Sequence, residues 1–563
     1  MDEISARRLY LTGFILIALA LFYAQIMKGE FYLNKARNNY IRVIPIRSMR
    51  GTIFDRHGVP LAADKASFNI AVVPYQIRMK KELLFRELAD YAKVDIRKLY
   101  RNYAQELMGM FKPVTVLRNL DKPVALKIQE QFGIDVLINP EPDRRYPYPK
   151  EFAHVLGYVK PVTSVYADIK KYDYSPLERA GVSGVEQYYN TYLRGEDGGD
   201  LVEVDAGGRR VGFIGQEKPV PGNDIYLTID AKIQKYAYDI LAGRRGCAIM
   251  MNSSTGEVIC LTSSPSFDPN LFVTSGAGQY FIDPQKPLLN RAVQAVYPLG
   301  SVFKPIEAAG ALEDKIITPH TSFTCTGVFV LGAARFHCWS THGVQDMYQA
   351  LAHSCDVYFY NVGRLCGPEI LSKWSKRFGL DSLTEIDLPG EKKGLVPSPD
   401  WKKETLNLPW YGGDTLNFSI GQGFMLATPM EFVEAMNVFA CGGDLVRPCV
   451  LKQVGELGSA TTKRTHVNIS ERVLNEVQTG IGMVASSDTG TAHILDSLGF
   501  DIHGKTGTAQ NAAKESHGWF VGYCTINNTK YTFGFFIENC GTSHVAVNAL
   551  YELFKKIKEE KLL

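Results

Sequence analysis

Residues 297–305 read YPLGSVFKP, a serine three positions before a lysine in an otherwise apolar neighbourhood. An ammonium group there needs a reason. If SVFKPIEAAGALED forms a helix, Ser301 and Lys304 are i and i+3 and project from one face. Pro305 then falls in the first turn or so, where its missing N–H costs little. Ser301 sits at the helix N-terminus, where positive backbone charge favours a developing oxyanion. A lysine desolvated at such a place loses affinity for its proton and becomes a base for the serine hydroxyl. The bland alternative is an amphipathic helix whose lysine reaches solvent, and S-x-x-K alone does not exclude it. Two later stretches decide between them. HSCDVYFY (353–360) puts Ser354 and Asp356 at the start of a helical run. HGKTGTAQ (503–510) puts Lys505, Thr506, Gly507 and Thr508 on a strand, where a glycine permits close approach of a substrate backbone. Each has an ordinary reading, a helix cap for Ser354 and an edge-strand turn for the glycine. All three in this order argue against coincidence.

A second constellation lies between the first two motifs. Cys325, Cys338, His342 and Cys355 fall within 325–355, bracketing the start of the S-x-D helix. Three thiolates and an imidazole complete a tetrahedral zinc shell, and Cys338 and His342 have the i, i+4 spacing that suits one face of a turn or helix. Two other readings stay open. Cys325 and Cys338 could form a disulfide across a hairpin-like GVFVLGAARF segment. Alternatively all three cysteines are reduced core residues and His342 lies at the surface beside Gly343.

These residues need elements to hold them. The chain has 563 residues, 45% hydrophobic and 21% charged, which suits two or three globular domains with a large core. A net charge of only +3 supplies no polyanion-binding field and argues against nucleic acid as a partner. Residues 9–27, LYLTGFILIALALFYAQIM, carry no charge and follow Arg7 and Arg8. Nineteen residues at a helical rise cover roughly the 30 Å hydrocarbon core of a bilayer, longer than the apolar region of a cleaved signal peptide. The arginines put residues 1–8 in the cytoplasm and the body outside it. Cys247, Cys260 and Cys524 lie in strand-like apolar runs and read as buried thiols.

Beyond the anchor, 42–62 reads as strands joined by turns, 80–112 as charged helix, VTVLRNL (114–120) as a strand and KPVALKIQEQF as a helix opened by Asp121 and Pro123. A Pro/Tyr-rich connector follows at 140–152 and a Gly-rich one at 193–222. The main boundary therefore falls near 222, giving a β-rich domain over 28–221, with a helical insertion at about 80–135, and a second domain over 222–563. In the second, Asp230 caps the helix AKIQKYAYDILAG, and GCAIMMN and GEVICLTS are strands across a polar turn. IHGKTGTAQ, GWFVGYCTI and YTFGFFIE are three more strands before a final helix. That order predicts an α+β domain built on one antiparallel sheet flanked by helices. No internal repeat or low-complexity tract is present.

The three motifs in this order resemble those of penicillin-binding proteins and serine β-lactamases. RGTIFDRHGVPLA (50–62) and GVSGVEQYYN (181–190) resemble motifs of the non-catalytic pedestal of class B penicillin-binding proteins. GQGFMLATPMEF (421–432) and GWFVGY (518–523) resemble segments of their transpeptidase domain. The chain is most similar to the elongation subtype, the penicillin-binding protein 2 type. Asp356 departs from the general pattern, where asparagine is usual, but the elongation subtype commonly carries aspartate. The resemblance implies a peptidoglycan D,D-transpeptidase of the cytoplasmic membrane, inhibited by β-lactams and needing no cofactor for catalysis. It implies that Ser301 is acylated by a stem peptide, Lys304 takes its proton, and Ser354, ordered by Asp356, relays a proton to the leaving D-alanine. Lys505 and Thr506 of the K-T-G-T run, with Gly507 and Thr508, bind substrate, and the N–H groups of Ser301 and Thr508 form the oxyanion hole. In some bacteria the subtype has a metal site in the 325–355 region, with varied ligands. The implied partner is the multi-span glycosyltransferase of the shape, elongation, division and sporulation family, because no polymerising domain is present. A D,D-carboxypeptidase and a membrane-anchored β-lactam sensor or scaffold are the alternatives; a β-lactamase would need neither the anchor nor the pedestal.

Overall fold

The uncharged run near the N-terminus is helical throughout, as Glu3–Phe22 followed by a π-helical turn Tyr23–Met27. Its segment Arg7–Met27 has a mean hydropathy of 2.0 and is long and apolar enough to cross a membrane. Leu9, Phe14, Ile15, Leu19 and Phe22 are all exposed, an apolar surface suited to lipid rather than water. The structure, a computed structural model, describes residues 2–32, 41–107, 109–110, 113–161, 179–205, 210–273, 276–455, 462–511 and 514–563. Parts of the expected 80–112 helical stretch (108 and 111–112) and of the 193–222 connector (206–209) lie outside the described residues.

The described chain divides into two compact units that are interleaved in sequence: Met1–Gly51, Asp64–Asp143 and Arg194–Gly222 form one, and Thr52–Ala63, Arg144–Leu193 and Asn223–Leu563 the other. In the first unit, the strand Ile41–Ile46 pairs antiparallel with Gly198–Val204, which pairs with Arg210–Glu217. Residues 68–72 pair antiparallel with Val114–Leu120. The charged stretch forms two helices, Lys81–Ala92 and Ile96–Glu106, the second capped by Asp95, whose carboxylate accepts from the Arg97 N–H. Leu84, Phe85 and Leu88 of the first helix meet Ile70, Val72, Val114 and Val116 of the strands, and Ala125 and Ile128 of the helix Lys122–Phe132 join them. Each large apolar side chain buried there contributes about 1.5–3 kcal/mol, so the charged exteriors of these helices do not prevent a core. The Pro/Tyr-rich connector is only partly a connector, because the strand Leu137–Arg145 takes in its first residues.

The second unit is built on a five-stranded antiparallel sheet in the order Val258–Ser264, Gly246–Asn252, Thr529–Ile537, Lys514–Ile526, Asp501–Asn511. Alternation sends successive side chains to opposite faces. Ala248, Met250, Phe520, Cys524, Phe533 and Phe535 pack with the helices Ala231–Leu241 and His544–Glu560. Cys247, Ile249, Met251, Trp519, Val521 and Phe536 face the other core, with the helices Lys304–Glu313, Asp356–Arg377 and Pro429–Ala440. Both faces are covered, which explains why the strands read as continuous apolar runs. Asp230 caps its helix as expected, accepting from the N–H groups of Lys232 and Ile233. The fold is α+β, and Cys247, Cys260 and Cys524 are buried free thiols.

Candidate active site

Ser301 lies in a 3₁₀ turn, Gly300–Phe303, that runs directly into the helix Lys304–Glu313 with Pro305 in its first turn. Gly300 takes φ +62°, a conformation that favours glycine, and its N–H donates to Gly421 O at 2.8 Å. The turn is pressed against the edge strand that carries the K-T-G motif. A Cβ on Gly300 would lie 2.9 Å from Thr508 O, and one on Gly507 would lie 2.8 Å from Val302 Cγ1 and 3.0 Å from Leu299 O. The close approach that Gly507 permits here is that of the nucleophile turn.

Lys304 is wholly buried and does not reach solvent. Its Nζ donates to Asp356 Oδ1 at 2.7 Å, to Ser354 O at 2.9 Å and to Ser354 Oγ at 3.3 Å. The bland alternative of a solvated helical lysine is therefore excluded. Ser354 stands in the left-handed region at φ +55°, rare for a residue with a side chain. It is held there by the turn between the helices Met347–Ala352 and Asp356–Arg377, where the Cys355 N–H donates to Ala350 O. The first of these helices is anchored by a reciprocal cap between Asp346 and Gln349. Burial raises the Asp356 carboxyl and the neighbouring Lys304 ammonium opposes it.

On the facing strand Asp501–Asn511, Lys505 is also wholly buried, and its Nζ donates to Thr506 O at 3.2 Å and Thr506 Oγ1 at 3.4 Å. Burial and then the Lys304 charge push Lys505 well below the ordinary lysine range, against the attraction of Asp356. Thr508 O accepts from Gln422 Nε2 at 3.5 Å, and Thr508 Oγ1 accepts from the Ser543 N–H at 3.3 Å. The eight motif residues thus converge from three separate elements. Two further residues join them that sequence reasoning passed over. Glu307, one turn beyond Lys304, is buried with no partner for either carboxylate oxygen among the described residues. Its burial raises the carboxyl well above the usual range despite Lys304. Thr491 Oγ1 lies 2.7 Å from Thr506 Oγ1. An acidic residue at i+3 from the lysine was a visible signal for the first; nothing local marks the second.

The sulfur and nitrogen constellation also converges. One ligand atom each from Cys325, Cys338, His342 and Cys355 lies within 4.8 Å of all the others. The pairing of Phe323–Cys325 with Gly343–Gln345 sets Cys325 opposite Gly343, next to His342. The hairpin Val328–Leu331 with Ala334–His337 returns Cys338 to the same place. No helix spans Cys338 to His342; the i, i+4 pair sits on a bend. His342 Nδ1 is 3.5 Å from Cys338 Sγ and 3.6 Å from Cys325 Sγ, and its Nε2 is buried without a partner among the described residues. Cys338 Sγ accepts from the Asp356 N–H at 3.3 Å. A hydrogen bond from Cys355, with backbone N–H groups added, pulls the Cys338 thiol well below the ordinary thiol range and holds Cys355 above it. All ten cysteines are free, so the Cys325–Cys338 disulfide is not formed here.

Residues 246–557 match the penicillin-binding protein transpeptidase domain, and residues 45–227 match the penicillin-binding protein dimerisation domain. The peptidoglycan D,D-transpeptidase MrdA of Escherichia coli K12 is 33% identical over 95% of this chain and 90% of its own. Among solved structures, the complex between penicillin-binding protein PBP2 and MreC from Helicobacter pylori superposes with a TM-score of 0.82 at 26% identity, covering 93% of this chain and 100% of that one. A chain from a peptidoglycan synthase complex, described as coordinating polymerisation and crosslinking, gives 0.72 at 29% identity, covering 98% and 97%. Similarity of that extent, across both domains, carries a shared reaction as well as a shared fold. The chain belongs to the class B penicillin-binding proteins of the elongation type, the serine D,D-transpeptidases of peptidoglycan.

Proposed function

We propose that Ser301 Oγ attacks the carbonyl of the penultimate D-alanine of a stem peptide while Lys304 takes the hydroxyl proton. The observation that carries this is the burial of Lys304 within hydrogen-bonding reach of Ser354 Oγ. The tetrahedral oxyanion is met by the N–H groups of Ser301 and Thr508. As it collapses, the C–N bond breaks and Ser354 relays the proton from Lys304 to the departing D-alanine amine. Asp356, bonded to Lys304, keeps the relay aligned. Thr506, backed by Lys505, holds the terminal carboxylate, and Gly507 keeps the strand close to the nucleophile turn. An acceptor amine from a second stem peptide then attacks the ester, loses a proton back through the same groups, and frees Ser301 with a crosslink made. A β-lactam enters the first step and stays, because its ring-opened leaving group remains attached.

Cys325, Cys338, His342 and Cys355 fit a zinc ion. They are soft donors gathered to the span of one tetrahedral shell, with the His342 ring otherwise unpartnered on one nitrogen. Four protein ligands leave no open position, so the ion would be structural, fixing the turn that presents Ser354. Catalysis itself uses no cofactor.

Residues 9–27 serve as the anchor, with 1–8 cytoplasmic and the body on the outer face of the cytoplasmic membrane, as Arg7 and Arg8 favour. Residues 28–221 are the pedestal and 222–563 the catalytic domain. The pedestal carries none of the catalytic motifs, and its role is spacing and contact with a multi-span polymerase of the shape, elongation, division and sporulation family. The similarity to a chain of a synthase complex supports that partner. A photo-crosslinker at Val43, 62% exposed, is expected to trap that polymerase in native membranes. Recovery of no membrane enzyme from Val43 or from Met49, 52% exposed, counts against it.

The transpeptidase reading is tested on the full-length chain in detergent, supplied with a pentapeptide donor and an excess of acceptor peptide. A crosslinked dimer with one D-alanine released per bond is expected. Release of D-alanine with hydrolysed donor only would make it a D,D-carboxypeptidase. Acylation with neither product would make it a sensor.

A further inference from the structure

The helix Glu471–Ser486 is followed by a polar loop, Ser487, Asp488, Thr489, Gly490 and Thr491, that belongs to none of the three motifs yet bonds to the residues just before the second and to one residue of the third. Thr489 Oγ1 lies 2.9 Å from His353 Nε2, and the Thr491 N–H donates to Ala352 O at 3.3 Å. These contacts fix the loop on the turn just before Ser354. At its far end Thr491 Oγ1 meets Thr506 Oγ1 at 2.7 Å. Gly490 keeps the loop tight, since a Cβ there would fall 2.4 Å from Val484 O.

A threonine hydroxyl has one proton to donate and two lone pairs to accept with. Lys505 Nζ donates into one lone pair of Thr506 Oγ1 at 3.4 Å. If the Thr491 hydroxyl donates into the second, the one remaining function of Thr506 is to donate its own proton outward. If instead Thr506 donates to Thr491, that proton is lost to the ligand. Thr491 Oγ1 has no other partner among the described residues, so both arrangements are open until an anion arrives. A carboxylate accepting from Thr506 forms a charge-assisted bond only in the first arrangement, and selects it.

We infer that Thr491 is a positioning residue whose hydroxyl, donating into the second lone pair of Thr506, leaves Thr506 a donor once a carboxylate is bound, so that the site favours an ionised carboxylate. This rests on the reading of Lys505 and Thr506 as the carboxylate site. It also links the turn before Ser354 to the K-T-G strand through one hydrogen-bonded loop.

The test compares two D-alanyl thioester substrates on the full-length chain, one ending in a carboxylate and one in a primary amide. Thr491→Val keeps the shape and removes the hydroxyl. It is expected to lower the carboxylate-over-amide preference in kcat/KM by roughly tenfold, mostly through KM, with an unchanged melting temperature. Thr491→Ser should restore the preference. A Thr491→Val chain that slows both substrates equally, or neither, overturns the inference. Thr506→Val separates the two levels. If it abolishes the preference while Thr491→Val leaves it intact, the carboxylate site stands and the role of Thr491 fails. If Thr506→Val also leaves it intact, the carboxylate reading fails and this inference with it.

Discussion

Ser301→Ala is expected to fold as the parent does and to take no adduct from penicillin, a loss of roughly 10⁶-fold in acylation. The variant deletes one hydroxyl, on a partly buried residue, that has no hydrogen-bond partner among the described residues, so its effect on stability should stay within about 0.5 kcal/mol. The parent should gain one penicilloyl mass per chain, and peptide mapping should place it on Ser301. Lys304→Met is expected to lose nearly as much acylation, but for a less clean reason. It removes the base and also leaves Asp356 and the Ser354 carbonyl without the ammonium that now binds both. Stripping the partner from a buried carboxylate costs several kcal/mol, about 3–5 in the worst case, so that chain should also melt lower. Labelling of Ser301→Ala at any rate near the parent's, or an adduct mapped to Ser354, would remove Ser301 from the role. An adduct that clears within seconds would instead indicate β-lactamase chemistry.

Removing the proposed zinc should have the second largest effect. Protein purified without chelator is expected to carry about one zinc per chain. Cys355→Ser should lower that occupancy and reduce the melting temperature by roughly 5–10 °C, since loss of a structural metal belongs among the few changes that exceed about 4 kcal/mol. Acylation should slow as well. Cys355 stands between Ser354 and Asp356, and the Asp356 N–H is bonded to Cys338 Sγ, so the donors and the catalytic turn share a backbone. Without the ion, the left-handed Ser354 loses part of what holds it against its own φ preference. A mass two hydrogens below the reduced chain, with Cys325 and Cys338 in one linked peptide and no metal, would replace the zinc by a disulfide.

Local chemistry accounts for what could be read directly. The strands 114–120 and 246–252 show their apolar pattern over a few residues, and Asp230 and the helix after it are set by a capping preference that spans three. The apolar run before Met27 needs only a length. The residue types and order of S-x-x-K, S-x-D and K-T-G likewise carry their chemistry on their face. The pedestal was harder. Its connector at 140–152 reads as Pro/Tyr-rich coil, yet Leu137–Arg145 is a strand, because backbone pairing outweighs the low strand propensity of those residues.

By itself, then, the sequence determined which residues were available for acyl transfer and which segments had to be helix, strand or membrane span, since each of those depends on neighbours a few positions away. Only the tertiary structure decided what each residue faces. Lys304 could have been solvated; it is buried because the helix that carries it packs against the one opened by Asp356, fifty-two positions along. Gly507 reads as room for a substrate backbone, and the structure fills that room with Val302 and the Leu299 carbonyl. Four metal-type donors spread over 325–355 come within 4.8 Å through one strand pairing and one hairpin, and Thr491 reaches Thr506 through a loop that no motif marks. Such meetings depend on sheet register and helix packing across long sequence separations, and no short-range pattern encodes them.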